Sequence, residues 1–307
     1  MQNNKTNTKT LIQKTLELYD IGELQSFVKL KHGFANENYK IITGKGTYLF
    51  RIHLQQSPEN IEKEHQLLEI LKKEHFPAAF PVKDKTGNTW LQIDGRNVSV
   101  YDFVKGTIPE INRETVAETA GVLARLHTLN SAGVPPKTNN THPEKGIKTM
   151  EGFPSAAHPL PDIFDRVLQV WEEVSPFLHE TLPAGLIHGD LFPDNTLFEG
   201  HRLKAVIDFE EYATDTLLFD VAMCINGFCF VNNKPDHNLL DVFIRAYEQK
   251  RPFTQPERKL LPVYIRWASL SMALWHLQFH LMHRPDRRQE KRVRELLHRC
   301  GRPGDRF

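Results

Sequence analysis

The sequence predicts an α+β chain of two unequal lobes, a small antiparallel sheet lobe followed by a larger, mainly helical one. Three observations predict it. The chain has 307 residues, about twice a typical domain length. Short β-branched and aromatic runs separated by turn residues crowd into the positions before about residue 103. Beyond Gly106 the apolar residues recur at helical spacing instead. The expected division is 1–104 for the first lobe and 105–307 for the second.

Leu11 to Tyr19 predicts a short helix on Leu11, Leu16 and Leu18, ended by Asp20 and Gly22. Phe27 to Lys31, Asn38 to Thr43 and Thr47 to His53 predict strands, the last two joined by the Gly44-Lys45-Gly46 turn. Pro58 to Glu74 predicts a helix with Ser57 as N-cap and an apolar stripe of Ile61, Leu67, Leu68 and Leu71. Thr89 to Ile93 and Asn97 to Phe103 complete the sheet around Asp94-Gly95. Arg113 to Asn130 is an amphipathic helix, and 131–161, with six of the 19 prolines, predicts a long loop. Ile163 to Leu178 returns to helical spacing, Leu186 to Asp208 reads as a short β segment, and helices separated by Pro252, Pro262 and Pro285 follow from Thr216.

Composition removes several function classes. Lys plus Arg number 39 against 38 for Asp plus Glu, so no overall field recruits nucleic acid or an anionic membrane. Three cysteines without ligand spacing exclude a zinc ribbon or disulfide scaffold and suit a reducing compartment. The opening residues lack a signal-peptide core and no apolar run reaches membrane-span length, so a cytoplasmic protein is expected.

The chemistry concentrates in His188-Gly189-Asp190-Leu191-Phe192-Pro193-Asp194-Asn195 and the strand end at Ile207-Asp208-Phe209. Asp190 follows a strand directly, where a carboxylate can accept a hydroxyl proton. Asn195, five positions on, offers a neutral oxygen, and Asp208, 18 beyond Asp190, an anionic one. Magnesium favours oxygen ligands and completes its shell with water and phosphate oxygens. A base with two such ligands suits phosphoryl transfer, whose catalysis is mostly positioning and charge neutralisation.

This H-x-D-x-x-x-x-N pattern with its downstream I-D-F resembles the aminoglycoside phosphotransferase and choline kinase superfamily, whose fold is protein-kinase-like. The resemblance implies ATP and Mg2+ as cofactors, Asp190 as catalytic base, and Asn195 and Asp208 as metal ligands. It implies that Arg51, in the place of the protein-kinase strand lysine, meets the α- and β-phosphates and is oriented by Glu64. Helical spacing from Leu68 and Leu71 favours Glu64 over Glu62 as the inward acid. There is no G-x-G-x-x-G; Gly33, Asn36 and Asn38 stand where the phosphate-covering turn would be, and Val100 to Phe103, with Tyr101, where main-chain groups would meet adenine. His188 is expected to order the catalytic loop, and His127 to pack between lobes.

Within the superfamily, Leu182 to His188, Leu218-Phe219-Asp220-Val221-Ala222, Arg251-Pro252-Phe253 and Leu261-Pro262 before Arg266 are similar to bacterial homoserine kinases of this fold. The similarity runs from about residue 11 to about 280, with departures at Ala35, Gly227-Phe228 and Ser271. It implies a small-molecule hydroxyl acceptor, L-homoserine, in threonine biosynthesis. Choline, methylthioribose and an aminoglycoside are the alternative acceptors, and a non-catalytic scaffold the alternative class. A zwitterionic acceptor needs both charges neutralised. Glu210, Glu211 and Asp220 are candidates for its ammonium and Arg266 for its carboxylate, and each also has a structural reading.

Three further features read as structural. His276, His280 and His283 share a helical face with Trp275 and Phe279 and are expected to pack rather than bind metal. Residues 284–307, with nine Lys or Arg against four acids, are expected to be a solvated terminal helix with a frayed tail. Cys224 and Cys229 are expected in the core.

Overall fold

The computed structural model describes residues 2–30, 36–142, 145, 146, 148, 161–178, 181–278 and 287–301. The first lobe is a five-stranded antiparallel sheet built from β1 (Leu24–Lys29), β2 (Asn36–Thr43), β3 (Gly46–His53), β4 (Trp90–Ile93) and β5 (Arg96–Asp102), in the order β1-β2-β3-β5-β4. Helix α1 (Gln2–Leu16) starts earlier than its apolar spacing predicts and stops before Leu18, which stays exposed. Leu11, Ile12 and Leu16 pack on Tyr39, Ile41, Phe50, Ile52, Val98 and Val100, one face of the sheet.

The period-2 alternation of a strand sends the intervening residues to the other face. Arg51, opposite Ser99, and His53 therefore point at helix α2 (Pro58–Lys73), as does Tyr101. This register puts a cation and two polar side chains under α2 instead of in the α1 core; slipping one strand by a residue would reverse both faces. Ser57 caps α2 by accepting from the Asn60 amide at 3.3 Å, and Pro58 fills the first turn, where a missing N–H costs nothing.

The second lobe packs α3 (Arg113–Thr128), α4 (Pro161–Val174), α5 (Leu217–Phe228), α6 (His237–Glu248), α7 (Gln255–His276) and α8 (Glu290–Arg299) around one large apolar cluster. That cluster extends across the lobe division, taking in Leu67, Leu68, Leu71, Phe76 and Ala78. Two antiparallel pairings flank the candidate site: β6 (Ala184–Ile187) with the distant β9 (Ala213–Thr216), and the hairpin of β7 (Thr196–Glu199) with β8 (Arg202–Val206). Isolated bridges Ala78–Val206 and Thr107–Phe198 join the β7–β8 pair to the segment between α2 and β4 and to the chain leaving the sheet lobe.

Several expectations are corrected. Pro262 does not separate helices but lies inside α7. A capping box between Thr254 and Glu257 fixes the start of that helix, and Leu260, Leu261, Tyr264 and Ile265 are buried on both sides of the proline. Such burial offsets the cost of an interior proline, about 3 kcal/mol. The region after Thr216 is not wholly helical: Phe230–Val231 and Lys234–Pro235 pair as β10 and β11 through Asn232 and Asn233, both at positive φ (51° and 62°). The basic C-terminal helix is solvated on one face only: Lys291, Arg294 and His298 are exposed, while Val293, Leu296, Leu297 and Cys300 bury its apolar stripe. His127 lies within the helical lobe, between Tyr247 and Asp220. All three cysteines are free and buried. His280, His283 and part of 131–161 fall outside the described residues. Among the described residues no helix is long and apolar enough to cross a membrane.

Candidate active site

Strand β6 delivers the chain into His188, Gly189 and Asp190. Gly189 sits at φ +81°, where a Cβ would collide with the Glu211 carbonyl oxygen, so the turn requires glycine. Asp220, at the start of α5, holds this turn from below: its carboxylate accepts from the His188 amide at 2.7 Å and the Gly189 amide at 2.9 Å. It also meets His127 Nε2 at 3.1 Å. Burial pushes the Asp220 carboxyl upward, but the hydrogen bonds from His127 and the loop amides bring it below the usual carboxylate range. Fully buried, with both oxygens engaged, Asp220 is an anchor for the catalytic loop. It has no face to offer an ammonium group, which corrects that expectation.

His188 is also fully buried. Its Nδ1 accepts from the Asp190 amide at 3.2 Å, which assigns the proton to Nε2, the donor to the Ile207 carbonyl at 3.1 Å. Burial depresses its basicity, so the ring stays neutral. His188 therefore positions the loop and the Asp208 strand end, and is not itself a catalytic group.

The Asn195 side-chain amide donates to the Asp190 carbonyl at 2.7 Å and to its Oδ2 at 2.9 Å. Its own main-chain carbonyl accepts from Ile207 N–H at 3.0 Å, which ties it to the segment bearing Asp208. Asp190, Asn195 and Asp208 thus converge, although they come from two loops. Burial, with the charges of Asp208, Asp194 and Glu211, raises the Asp190 carboxyl well above its ordinary value.

Asp208 adopts the left-handed conformation (φ 66°, ψ 63°), one of the few residue types that tolerates it. Its Oδ1 is buried without a hydrogen-bond partner, facing the Arg51 guanidinium at 3.5 Å. Arg51 reaches Glu210 Oε1 at 3.6 Å and donates from Nε to Asn38 Oδ1 at 3.1 Å, while its guanidinium lies 5.4 Å from the Tyr101 ring centroid. Asn36 donates to the same Glu210 oxygen. The Glu210 carboxylate is thereby held against Asn36 and the arginine of the strand lobe, which corrects its reading as an ammonium ligand.

Glu64 is the inward acid of α2, and Glu62 is exposed on the surface, where it accepts from Trp90. Arg51 and Glu64 are both buried, so neither belongs to a surface pair. Their expected direct contact is replaced: Glu64 accepts from Gln56 Nε2 at 2.8 Å, and Arg51 turns to Asp208 and Glu210. Gln56 is held in turn by His53 at 2.9 Å, and His53 by Ser99 at 2.9 Å. A second chain runs from Thr89 to His65 and from His65 to the Tyr101 hydroxyl, each step 2.8 Å. Burial, seconded by the charge of Arg51, pushes both histidines down to about 3. Sequence reasoning missed this network; the alternation of Arg51, His53, Ser99 and Tyr101 on one sheet face was the signal for it.

The donor set of Asp190, Asn195 and Asp208 suits a divalent cation. All its atoms are oxygens, one of them the partnerless Asp208 Oδ1, and the Asn195 amide nitrogen is committed to Asp190 so that its oxygen remains. Burial and the nearby Asp208 charge push Glu210 up to about 8, and the same causes, opposed by Arg51, raise Glu64. A site with this much uncompensated negative charge fits a cation. No group of three His, Cys, Asp or Glu side chains among the described residues is already assembled for one.

Of the remaining expected residues, Gly33 lies outside the described region. Phe103 is the first residue after β5, with the Lys40 amine 5.0 Å from its ring centroid. Arg266 is buried between α7 and its neighbours, donating from Nε to the Cys300 carbonyl at 2.7 Å and pairing with Glu173 of α4. Its charge is used inside the helical lobe, which removes it as a carboxylate ligand for substrate.

A sheet lobe over a helical lobe, with acids and an arginine gathered where they meet, defines a protein-kinase-like phosphotransferase architecture. The phosphotransferase enzyme family model matches residues 26–261, and the chain belongs to that family. A homoserine kinase from Rhodopseudomonas palustris (strain BisB18) is 32% identical over 272 residues, covering 84% of this chain and 81% of that protein. A microcompartment-associated aminopropanol kinase superposes with a TM-score of 0.76 at 18% identity, covering 95% of each chain. Amicoumacin kinase in complex with AMP-PNP, Ca2+ and amicoumacin superposes with a TM-score of 0.75 at 15% identity, covering 97% of this chain and 95% of that one.

Proposed function

We propose that the protein is an ATP- and Mg2+-dependent kinase that moves the γ-phosphoryl group to the hydroxyl of L-homoserine. One observation carries the reaction: Asp190, bonded to Asn195, sits with Asp208 and the buried Arg51 in a single, partly exposed cluster of oxygen ligands and one cation. In this reading Asp190 accepts the hydroxyl proton as the oxygen attacks phosphorus. Its raised carboxyl brings its basicity nearer neutral pH, where an acceptor of this kind works best. Asn195 and Asp208 would hold the magnesium, which would neutralise phosphate charge when bound. Arg51 would exchange its contacts with Asp208 and Glu210 for the phosphates, and Glu64, held by Gln56, would be the acid behind it. The Tyr101 hydroxyl is committed to His65 and the Asp102 amide to the Phe80 carbonyl, so the main chain from Phe103 onward would be what meets adenine.

The acceptor is supported by the homoserine kinase relative, similar along most of both chains. The test is ADP release with L-homoserine, choline, 3-aminopropan-1-ol and an aminoglycoside, with Asp190→Asn as control. Turnover with homoserine above the others is expected. Turnover with choline or the aminoglycoside and none with homoserine would overturn the acceptor and leave the reaction standing.

A further inference from the structure

The proposed acceptor carries a carboxylate, and how the protein holds that group is inferred on the strength of the homoserine reading. A carboxylate brought among Asp190, Asp208 and Glu211 would be repelled unless a cation faced it. Arg266 is spent on Glu173 and the Cys300 carbonyl, and Arg51 on Asn38, Asp208 and Glu210. Lys137 is different. It is half-buried, its ammonium donates to the main-chain carbonyl of Glu210, and it lies 5.3 Å from the Tyr212 ring centroid. Among the described residues no carboxylate is in ion-pair contact with it, although its charge is felt at Glu64. An ammonium has three donors, so the carbonyl leaves two for a ligand.

The segment bearing Lys137 is strapped along the residues after Asp208. The Lys137 carbonyl accepts from Thr214 N–H at 3.3 Å, and the Pro135 carbonyl from the Tyr212 hydroxyl at 3.2 Å. Asn139 donates to Asp215 at 2.9 Å and Asn140 to Glu211 at 2.7 Å. The next carbonyl along from the one Lys137 holds, that of Glu211, abuts Gly189, the residue before Asp190. The ammonium is therefore held beside the Asp190 turn by a main-chain contact, with no acid paired to it among the described residues. We infer that Lys137 determines acceptor specificity by binding the α-carboxylate of an amino acid whose side chain ends in a hydroxyl. Glu211, exposed and next to the same strap, is left as the candidate partner for the α-ammonium.

The experiment compares Lys137→Met, Lys137→Gln and Lys137→Arg with the parent protein on L-homoserine and on 3-aminopropan-1-ol, which lacks the carboxylate. Losing a charged hydrogen bond should raise the homoserine KM by about 10- to 100-fold in the Met and Gln variants, with the ATP KM within about twofold. The ratio of kcat/KM for homoserine over aminopropanol should fall by the same factor, and Lys137→Arg should recover most of it. An unchanged homoserine KM, or an equal loss on both acceptors, would overturn the inference; the second result would move Lys137 to the phosphoryl group or the strap. If the parent protein does not use homoserine, the acceptor reading has failed and takes this inference with it. If it does and Lys137→Met is indifferent, only the role of Lys137 falls. A thermal melt of each variant separates these outcomes from unfolding.

Discussion

The side-chain amide of Asn195 donates to both the main-chain oxygen of Asp190 (2.7 Å) and its carboxylate (2.9 Å). One residue thus fixes the orientation of the acid and keeps its own oxygen for a cation. The acid so fixed is half-buried and faces other negative charges, and its raised carboxyl makes the ionised form costly for the fold. Function and stability therefore oppose each other at this position.

Asp190→Asn should cost about 10²- to 10⁴-fold in kcat, the usual worth of a positioned base. It should also raise the melting temperature of the ligand-free protein at neutral pH. A carboxyl raised in the folded state binds its proton more tightly there than in the unfolded chain. Stability then falls as pH rises from the unfolded value toward the folded one, and stays lower above it. The neutral amide escapes that loss. A variant that is inactive but no more stable at pH 7 would contradict the buried-charge argument.

Asp194 contributes to the upward shift of Asp190 by charge alone. Asp194→Asn should therefore move the acid limb of the kcat/KM profile to lower pH, because removing a negative neighbour lets Asp190 ionise earlier. A limb that stays in place, measured with saturating magnesium, would exclude Asp190 as the group that limits the rate in acid.

Asp220→Ala should destabilise the fold by about 3 kcal/mol or more, since it strands the His188 and Gly189 amides and removes the partner of His127. A urea titration reads this directly. The folded carboxyl lies below its usual value, so the contribution is present above the unfolded value near 4 and is lost as pH falls through the folded one. An intact fold with only a raised acceptor KM would return Asp220 to the substrate pocket.

Arg266→Ala should lower the melting temperature by breaking the buried pair with Glu173, while changing the KM values of acceptor and ATP little and alike. A selective rise in the acceptor KM would show that this arginine reaches substrate after all.

His53 and His65 should make the sheet lobe acid-sensitive. Each is held neutral to about 3, against 6.5 for a free imidazole, so the unfolded chain takes up protons first as pH falls. Their contribution is complete above about 6.5 and declines between there and about 3. Replacing His65 with Asn should flatten the fall in melting temperature across that window; an unaltered slope would show that other groups control it.

Much of this was legible from spacing. The order of strands and helices followed from alternation and helical period, and Ser57 with Pro58 marked the start of α2 because caps are local. Asp190, Asn195 and Asp208 could be picked out because their loops are short and follow strands. The losses share a cause. β9 has no apolar alternation and exists because β6 pairs with it across 25 intervening residues. Pro262 breaks the local rule because packing on both sides of it outweighs the missing donor.

What the sequence by itself determined is therefore which residue types are available, and in what local register: the acids of the catalytic loop, the inward Glu64, and Arg51 on a fixed sheet face. Only the tertiary structure decided which of those charges are already spent. Asp220 closes on loop amides, Arg266 on Glu173, Arg51 on Asp208 and Glu210, and Lys137 on a carbonyl without an acid. The physical reason is that a charge is committed by whatever faces it once water is removed, and that neighbour comes from elsewhere in the chain. Asp220 meets a histidine 93 positions away, and Arg266 a glutamate equally distant.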